Sequence, residues 1–559
     1  MKALIQKGHR VLCAACAVAM TGVLALTLTA SGTAATAPHA AAAGGTLVMS
    51  DTAVGTLGQN FNPFITSSDM SSLCLTDLIY EPLFQYNDLT FKTEPWLATA
   101  YKWSDGGRAL TFTIRTGVKW SNGSPLTAAD VAYTYQLLKM YPALNTEGLS
   151  ITSISTAGDT VTLKFPKPNY QNFFDINQVL IVPKSIWSKL KNPSTFSDPT
   201  PVGTGPFELG SFSPQDVILK RNPTYWQPGL PKLAQIDNPV YNSNTSLEQG
   251  LTSNQVQWSQ DFIPGLKKIY LAASPYHKSW EVPIFTDALE ANEGVFPTNN
   301  LAVRKAISLA INRNALSTEA EDGQAPPVTT ATGLLLPEFT PLLAPSLRNA
   351  KLVQNVAEAK SILRAAGFVM GKNGYFETKS GRELSLTIVD PSSFSDWVVL
   401  DQLVVQNLKA AGIAATFDGV GRTTWEADLA DGSYQLSQDF SVQSGSPYAS
   451  YNYWLNSALT APVGKQAAGD YSRVDSPAID KDLQALASAG TEAQEKAALA
   501  PIEQYMVSNV PVIPDVYYPD FDEYNTQNIT GWPTPANPYE VAQPTGASTE
   551  VVVLHLAEK

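Results

Sequence analysis

Residues 111–138 read TFTIRTGVKWSNGSPLTAADVAYTYQLL, and this stretch predicts the local fold around which the chain is built. Its first part alternates apolar and polar side chains around Phe112, which is typical of a strand with one buried face. An Asn-Gly pair ending at Gly123 follows, and these residues tolerate the positive φ of a tight turn. Thr127 stands three residues before Asp130, which predicts a helix start closed by a capping box with Asp in place of Glu. Three apolar residues then share one helical face: Val131, Tyr135 and Leu138.

The overall composition describes a large, acidic, folded chain. Its 559 residues are enough for two or three domains, and a hydrophobic share of 44% supplies a large core. Charged residues make up only 16%, which argues against disorder. The net charge of −13 and the pI near 4.9 argue against binding to nucleic acids or anionic membranes, since both require basic patches.

The amino-terminal residues 1–43 are typical of a secretion signal. A basic start is followed by an apolar run from Val11 to Thr29 and by an alanine-rich segment that ends before Gly44. An uncleaved membrane anchor is the alternative, although the outer side of the run lacks a charged stop. The chain is therefore predicted to be exported, extracellular or periplasmic, and associated with the cell envelope.

Cysteine usage fits this prediction. Cys13 and Cys16 lie at the start of the apolar run, whereas a lipoprotein signal places its cysteine after that run. Only Cys74 would remain after cleavage, so we expect no internal disulfide and a fold stabilised by core burial.

Four further segments carry distinctive motifs. Residues 44–49 read GGTLVM, residues 201–207 read PVGTGPF, residues 221–226 read RNPTYW and residues 299–313 read NNLAVRKAISLAINR. The last of these has apolar residues at the spacing of an amphipathic helix. The two glycines and two prolines of residues 201–207 predict a rigid and closely packed turn, for which we favour a structural role.

Together with Arg115 to Tyr133 of the opening stretch, these segments resemble, in order and spacing, the family 5 extracellular solute-binding proteins. The resemblance covers nearly all of residues 44–540. It implies an α/β, two-lobed periplasmic-binding-protein-like fold of the large, peptide-binding type, with a hinge and an interlobe cleft. The implied domains are lobe 1 at 44–279 with an extra subdomain at about 90–200, lobe 2 at 280–515, and a C-terminal return to lobe 1 at 516–559.

The same resemblance implies a receptor of an ABC transporter that captures peptides in the cleft and delivers them to permease subunits. We expect a monomer whose partners are a peptide or another small oligomeric solute and the permease, and not nucleic acid. Two alternatives remain open: the same receptor fold binding oligosaccharides, and a secreted glycoside hydrolase that uses a pair of carboxylates.

Catalytic and cofactor motifs are scarce. Beyond residue 43 the chain holds only His277 and His555, and Cys74 stands alone, so a zinc site or a Ser-His-Asp triad lacks candidate residues. We therefore expect no catalytic residue, no metal and no cofactor.

The ligand site is predicted from one departure from the family pattern. Oligopeptide-binding members often carry W-x-x-D-Y-x-D-P late in the second lobe, which supplies a carboxylate to the peptide amino terminus. The corresponding stretch is 436–454, LSQDFSVQSGSPYASYNYW, where Asp439 is the only acid. Either Asp439 takes the amine, or this anchor is missing and the ligand is not a free peptide. The other candidate cleft residues are Asn62, Phe64, Glu81, Trp258, Asn292, Trp397, Trp425, Ser444, Ser446, Tyr448 and Tyr451.

Near its end the chain offers two secondary-structure predictions. Residues 476–509 are predicted to be helical throughout, and the β-branched run from Val551 to Leu556 predicts a final strand.

Overall fold

A computed structural model describes residues 44–559 except 51–55, 66–67, 147, 337, 349–350, 443, 520 and 547. The predicted signal segment, residues 1–43, lies outside the described residues. Among the described residues, no helix combines the length and apolar character needed to cross a membrane.

The opening stretch folds as its pattern predicts. A strand at Ala109–Ile114 is followed by a turn in which Gly123 has a φ of +82° and by a helix at Ala128–Met140. The Asp130 carboxylate accepts from the Thr127 amide at 2.9 Å, which closes the helix start. The predicted face of the strand and the predicted face of the helix are both buried: Phe112 and Ile114 on the strand, and Val131, Tyr135 and Leu138 on the helix.

The first lobe is built on several small sheets. One four-stranded sheet has the order Thr46–Val48, Gln235–Pro239, Asp216–Arg221, Phe207–Ser213, with the first pair parallel and the others antiparallel. A second, fully antiparallel sheet has the order Ala98–Ser104, Ala109–Ile114, Thr160–Lys164, Ser153–Ala157. A three-stranded sheet has the order Trp258–Ser259, Glu523–Asn525, His277–Ser279. Two strand pairs complete the lobe: Phe84–Asn87 with Lys92–Pro95, and Ile529–Thr530 with Ala557–Glu558.

Short helices cover these sheets. The α-helices of this lobe are Asp69–Ser72, Ala128–Met140, Phe173–Asn177, Lys184–Trp187, Asn244–Thr252 and Thr549–His555. Shorter helical turns include Asp105–Gly107, Pro142–Leu144, Tyr170–Asn172, Pro193–Thr195 and Lys267–Leu271.

The second lobe is organised by one five-stranded mixed sheet. Its order is Ala414–Val420, Ser385–Pro391, Leu436–Phe440, Pro283–Ala291, Val512–Pro519. The first three strands run parallel to one another, and the last two are antiparallel to their neighbours. A two-stranded hairpin, Val369–Met370 with Phe376–Glu377, lies outside this sheet.

Helices alternate with these strands along the chain, as the sequence predicts, and Ser395–Ala410 and Arg422–Asp431 pack against the sheet. The helices of this lobe are Leu301–Ala310, Arg313–Ala315, Val356–Ala365, Ser395–Ala410, Arg422–Asp431, Pro447–Leu455, Pro477–Ala487 and Glu492–Asn509, with shorter turns at Leu316–Ala320 and Pro345–Leu347. Residues 476–509 thus form two helices and not one, because the chain turns between Ala487 and Glu492.

The chain crosses between the two lobes twice. One crossing lies between the strands His277–Ser279 and Pro283–Ala291, and the other lies between Val512–Pro519 and Glu523–Asn525. The strand Val512–Pro519 runs through residue 515, the predicted end of the second lobe.

The C-terminal segment packs in the core of the first lobe, where Trp532, Val552 and Leu556 are buried. Here one prediction is wrong: residues 549–555 form a helix and not a strand. The β-branched run favours a strand by local preference, but burial of Val552 and Val553 on a helical face overrides that preference.

The motif at residues 201–207 is a close-packed turn. An added Cβ on Gly203 would lie 1.7 Å from the Ile79 carbonyl oxygen, and one on Gly205 would lie 2.5 Å from the Leu78 carbonyl oxygen. The Gly205 amide donates to the Ile79 carbonyl at 2.8 Å. Both glycines are therefore required by the close approach of two backbone segments.

Candidate functional site

The four candidate residues of the first lobe are buried inside it. Asn62 donates to the carbonyls of Pro193 and Phe196 at 3.1 and 2.8 Å, so its side chain ties two loops together. Trp258 is fully buried and its indole N–H donates to the Ala542 carbonyl. Of this group, Phe64 lines a cavity.

Glu81 is the centre of a buried hydrogen-bond cluster. One of its carboxylate oxygens accepts from Trp96 at 2.7 Å, from Trp226 at 2.9 Å and from the Tyr225 hydroxyl at 3.1 Å. Burial raises the pKa of Glu81, and its partner Glu550 has its pKa raised by burial and by the charge of Glu81. The side chain therefore serves the packing of the lobe and does not face a cleft.

Three candidates in the second lobe are also core residues. Asn292 donates to the carbonyls of Gly432 and Tyr434, both at 3.0 Å. Trp397 is fully buried against Trp425, with ring centroids 5.8 Å apart.

Asp439 has its carboxylate occupied within the lobe. One oxygen accepts from the Phe440 amide at 2.8 Å, and the other accepts from the Tyr453 hydroxyl at 2.8 Å. Burial raises the pKa of Asp439 to about 6. The side chain is 7% exposed, and each carboxylate oxygen already accepts one hydrogen bond from within the lobe.

The segment from Ser444 to Tyr451 reaches the boundary between the lobes in its first half, at Gly445 and Ser446. Ser444 donates to the carbonyl of Ser446 at 2.7 Å, and Tyr451 donates to the carbonyl of Thr332 at 2.9 Å inside the second lobe. The Ser446 hydroxyl donates to the Gln171 side-chain oxygen at 2.6 Å, which joins the second lobe to the first.

Other contacts cross between the lobes at the same place. Gln171 also donates to the Ala489 carbonyl at 2.8 Å, and Phe91 stacks on Phe339 with ring centroids 5.4 Å apart. An added Cβ on Gly490 would lie 2.9 Å from the Tyr170 ring. The lobes therefore meet along the turn Tyr170–Asn172 and the strand pair that contains Tyr86.

A cavity of about 380 Å³ lies where the two lobes meet, and we term it the interlobe cavity. Tyr86 stands on its wall with a buried hydroxyl that has no hydrogen-bond partner among the described residues. Its lining is aromatic and polar, with one cationic side chain: Tyr86, Phe91, Lys92, Thr93, Tyr170, Gln171, Phe173, Phe174, Gly445 and Ser446. Such walls can stack on flat groups and form hydrogen bonds with amides or hydroxyls.

A second cavity, of about 280 Å³, adjoins it within the first lobe, and we term it the first-lobe cavity. Phe174 lines both cavities. Asp77 and Asp175 are its acidic lining residues, and burial raises the pKa of Asp77 to about 7. The apolar part of the lining includes Phe64, Leu138, Leu144, Val179 and Leu180.

Tyr448 of the second lobe lies near Asp175, which lines the first-lobe cavity. Burial, and then the charge of Asp175, raise the pKa of the Tyr448 hydroxyl to about 12. A second-lobe tyrosine thus interacts with an acid that lines the first-lobe cavity. The two cavities and the side chains between them form the candidate functional site.

Of the residues predicted from the sequence, Phe64 lines the first-lobe cavity and Ser446 lines the interlobe cavity, while Tyr448 lines neither. The lining residues Asp77 and Asp175 and the aromatic run at residues 170–174 were not among the predicted ones. That run, YQNFF, carries no local signal that distinguishes a cavity wall from core packing.

The described residues contain no group of three or more His, Cys, Asp or Glu side chains arranged to hold a metal ion. His277 is engaged at both ring nitrogens, with the Tyr270 carbonyl and with the Asn254 side chain, each at 2.8 Å.

Comparisons with known proteins identify the family. Residues 92–461 match the model for bacterial extracellular solute-binding proteins, family 5, middle part. The nickel-binding periplasmic protein of Escherichia coli K12 is 25% identical over 442 residues, covering 75% of this chain and 80% of that protein. The glutathione-binding protein GsiB of Escherichia coli K12 is 27% identical over 436 residues, covering 71% and 78%.

The fold matches solved structures over most of its length. A periplasmic oligopeptide-binding protein of an oligopeptide ABC transporter from Thermotoga maritima superposes with a TM-score of 0.85 at 25% identity, covering 92% of this chain and 99% of that one. A structure of that protein with bound mannohexaose superposes with a TM-score of 0.82 at 24% identity, covering 92% and 98%.

These matches agree with the two-lobed architecture and with the sequence motifs. The family consists of periplasmic or extracellular binding proteins that deliver solutes to permease subunits, and they are not enzymes. The chain belongs to the family 5 extracellular solute-binding proteins, the receptors of ABC importers.

Proposed function

We propose that this receptor captures short peptides in the interlobe cavity and the adjoining first-lobe cavity, and releases them unchanged to its permease. The observation that carries this proposal is the interlobe cavity of about 380 Å³, which has walls from both lobes. A solute held there contacts both lobes at once, so its binding favours the arrangement in which they meet.

The wall chemistry suits an extended peptide. Gln171 and Ser446 line the interlobe cavity with polar groups from opposite lobes, which suit the amides of a peptide backbone. The aromatic rings Phe91, Phe173 and Phe174 supply apolar area for side chains of varied shape.

Oligosaccharides are the second candidate. Aromatic faces and neutral hydrogen-bonding groups also suit sugar rings, and the Thermotoga maritima protein of this fold holds mannohexaose. The nickel-binding and glutathione-binding relatives show how widely the solutes of similar proteins differ.

The hinge is proposed to lie in the two crossings, at 280–282 and between Pro519 and Glu523. Rotation there would separate the lobes without breaking either sheet. Residues 1–43 are proposed to direct export, so that the receptor works outside the cytoplasm as a monomer.

A thermal-shift screen tests the solute class. A pool of tri- to pentapeptides and a pool of manno- and cello-oligosaccharides are compared on the same protein, because a ligand that binds only the folded state raises the melting temperature. Stabilisation by peptides alone supports the proposal, and stabilisation by oligosaccharides alone favours the second candidate. Mass spectrometry of the recovered ligand must show it unchanged.

A further inference from the structure

We propose that the carboxyl group of Glu281 joins the two interlobe crossings and makes closure of the lobes on a solute depend on pH. This inference rests on the proposed function, because it places a titrating group in the proposed hinge. It concerns how readily the receptor closes, and it applies to a peptide and to an oligosaccharide alike.

The two crossings run side by side as one antiparallel ribbon. On the first-lobe side Ser279 pairs with Glu523, and on the second-lobe side Pro283 pairs with Pro519. The same register therefore holds on both sides of the hinge, and residue 281 lies opposite the second crossing. Rotation of one lobe against the other bends or twists this ribbon.

Glu281 contacts both strands of the ribbon. Its Oε1 accepts from the Ser279 hydroxyl on its own strand, and its Oε2 accepts from the Asp522 amide of the other crossing at 3.3 Å. One side chain thus connects the two crossings at the point where the chain passes between the lobes. A change in the charge of Glu281 therefore acts on both crossings at once.

A second carboxyl lies beside Glu281. Glu523 is fully buried, its Oε2 accepts from the Asp261 amide at 3.2 Å, and its Oε1 has no hydrogen-bond partner among the described residues. In the described part of the chain, no lysine or arginine forms an ion pair with Glu281 or Glu523. Negative charge on this pair is therefore not balanced by a neighbouring basic side chain.

The other titratable groups around the pair are acids and tyrosines. Those that face it from the neighbouring elements are Asp261, Tyr270, Asp522 and Tyr524. On the strand that leads into the first crossing, His277 has its ring nitrogens bonded to Tyr270 and Asn254, and Lys278 is exposed. The surroundings thus disfavour ionisation of the two glutamates.

These surroundings bring the titration of Glu281 close to neutral pH. Burial raises the pKa of Glu281 to about 7, although the hydrogen bonds from Ser279 and Asp522 lower it in part. Burial, and then the charges of Glu281 and Asp261, raise the pKa of Glu523 well above its ordinary value. Near neutral pH, Glu281 therefore changes between its neutral and charged forms beside a second buried carboxyl.

The direction of the effect follows from the access of water to Glu281. The lobes are in contact in this structure, and the carboxyl is largely shielded from solvent; rotation at the hinge lets water reach the crossings. The pKa of Glu281 is then higher in the closed arrangement than in the open one, so closure takes up a proton. Closure is favoured below about pH 7 and becomes less favourable as the pH rises through that value.

Isothermal titration of the full chain with trileucine and with mannotriose, at pH 5.5 and at pH 7.5, tests this inference. We expect binding to be weaker at pH 7.5 by about threefold or more, and by up to roughly twentyfold if opening restores an ordinary pKa to Glu281. Comparison of wild type and variants on the same solute cancels the titration of the solute's own groups. Binding that is equal at the two pH values, or tighter at pH 7.5, would overturn the inference.

Two matched variants locate the effect. Glu281→Gln keeps the length of the side chain and an acceptor oxygen but does not titrate, so it should lose most of the pH dependence. The exposed change Glu319→Gln should keep the pH dependence of the wild type. A pH dependence in Glu281→Gln as large as that of the wild type would reject the role of Glu281.

Proton counting on the wild type gives a test that needs no variant. Titrations with the same two solutes at pH 7, in two buffers of different ionisation enthalpy, give the number of protons taken up on binding. We expect an uptake of about half a proton per bound solute, since Glu281 is half-protonated in the closed arrangement and ionised in the open one. No uptake, or a release of protons, would contradict the inference.

Small-angle scattering on the same samples separates this result from the receptor function. Closure that depends on pH equally in the wild type and in Glu281→Gln rejects the hinge inference and leaves the receptor intact. Absence of closure at both pH values, with these two solutes and with every member of the peptide and oligosaccharide pools, rejects the receptor function together with the inference.

Discussion

At the scale of single residues, Glu81 shows how one buried carboxylate organises its surroundings. Trp96, Trp226 and Tyr225 all donate to the same oxygen, at 2.7 to 3.1 Å. A buried acceptor with three donors fixes the positions of three large side chains, which is a structural role.

We expect Glu81→Ala to lower the free energy of unfolding by about 2 kcal/mol, since the Trp96 and Trp226 indoles are each left unpaired at a cost of about 1 kcal/mol, whereas the Tyr225 hydroxyl keeps Glu550 as an acceptor. Glu81→Gln keeps an acceptor oxygen and should lose less. Chemical denaturation followed by tryptophan fluorescence measures both, with the exposed Glu319→Ala as control. A loss for Glu81→Ala no larger than for Glu319→Ala would contradict this role.

Residue types could be predicted from the sequence more readily than their surroundings. Aromatic residues such as Trp258 and Trp397 suit both a cleft wall and a core, and only tertiary packing decides between them. Asp439 is the one acid in its stretch, which favours it as an anchor for a ligand amine. The Tyr453 hydroxyl that donates to its carboxylate comes from the following helix, and the sequence does not show this contact. Conversely, nothing local to Asp77 indicates that Asp175, far along the chain, lines the same cavity.

At the scale of elements, the loop before the helix Pro447–Leu455 is one of the parts of the second lobe that touch the first. An added Cβ on Gly445 would lie 3.0 Å from the Phe91 carbonyl oxygen and 3.1 Å from the Tyr86 hydroxyl. Glycine here allows the two lobes to approach closely.

We expect Gly445→Ala to weaken solute binding about tenfold, roughly 1.4 kcal/mol, because the lobes can no longer approach fully. The melting temperature of the solute-free protein should change little, since the added methyl group meets only the opposite lobe. Isothermal titration with a peptide from the screen measures this effect. Gly421→Ala, whose added Cβ meets nothing within 4 Å, is the matched control and should bind like the wild type.

Elements with a clear pattern could be predicted, and those without one could not. The helix Leu301–Ala310 and the capped helix Ala128–Met140 follow apolar spacing and end signals within a few residues. The C-terminal helix at Thr549–His555 was predicted as a strand because its valines give a local signal that burial overrides. The order of strands in the five-stranded sheet depends on distant segments, and no local pattern encodes it.

At the scale of the whole molecule, the core of the second lobe contains an unusual group of buried carboxyls. Five of them come from three strands, one helix and one turn: Asp287, Glu321, Asp390, Asp401 and Asp515. Both oxygens of Asp287 and of Glu321 lack hydrogen-bond partners among the described residues. Gln438 donates to Asp515 at 3.2 Å, and Arg313, Asp396 and Tyr518 are the other charged or titratable groups that face the cluster.

The stability of the lobe should therefore depend on pH. Burial raises the pKa of Asp515 to about 6, and burial together with neighbouring acids raises the pKa of Asp287 well above its ordinary value. Between the ordinary value near 4 and these raised values, the folded state holds more protons than the unfolded chain, so stability falls as the pH rises. The stabilisation is complete below about pH 4 and is lost progressively through pH 6 and above.

We expect the melting temperature to be higher at pH 5 than at pH 8. The side chain of Asp287→Asn resembles the protonated acid and does not titrate. The free energy of unfolding of this variant should therefore fall less steeply with pH than that of the wild type, and the two slopes should differ by up to about 1.4 kcal/mol per pH unit. Calorimetry at both pH values measures the difference, with exposed Asp159→Asn as control. A melting temperature that rises with pH would contradict the assignment of protons to this cluster.

The two lobes are proposed to close on a solute and to release it unchanged. Small-angle X-ray scattering of the purified receptor, with and without the peptide found in the thermal-shift screen, tests this claim most directly. We expect the radius of gyration to fall on addition of the peptide, to recover after dialysis, and the dialysed peptide to be chemically intact. A radius of gyration that does not change at saturating peptide would contradict the account.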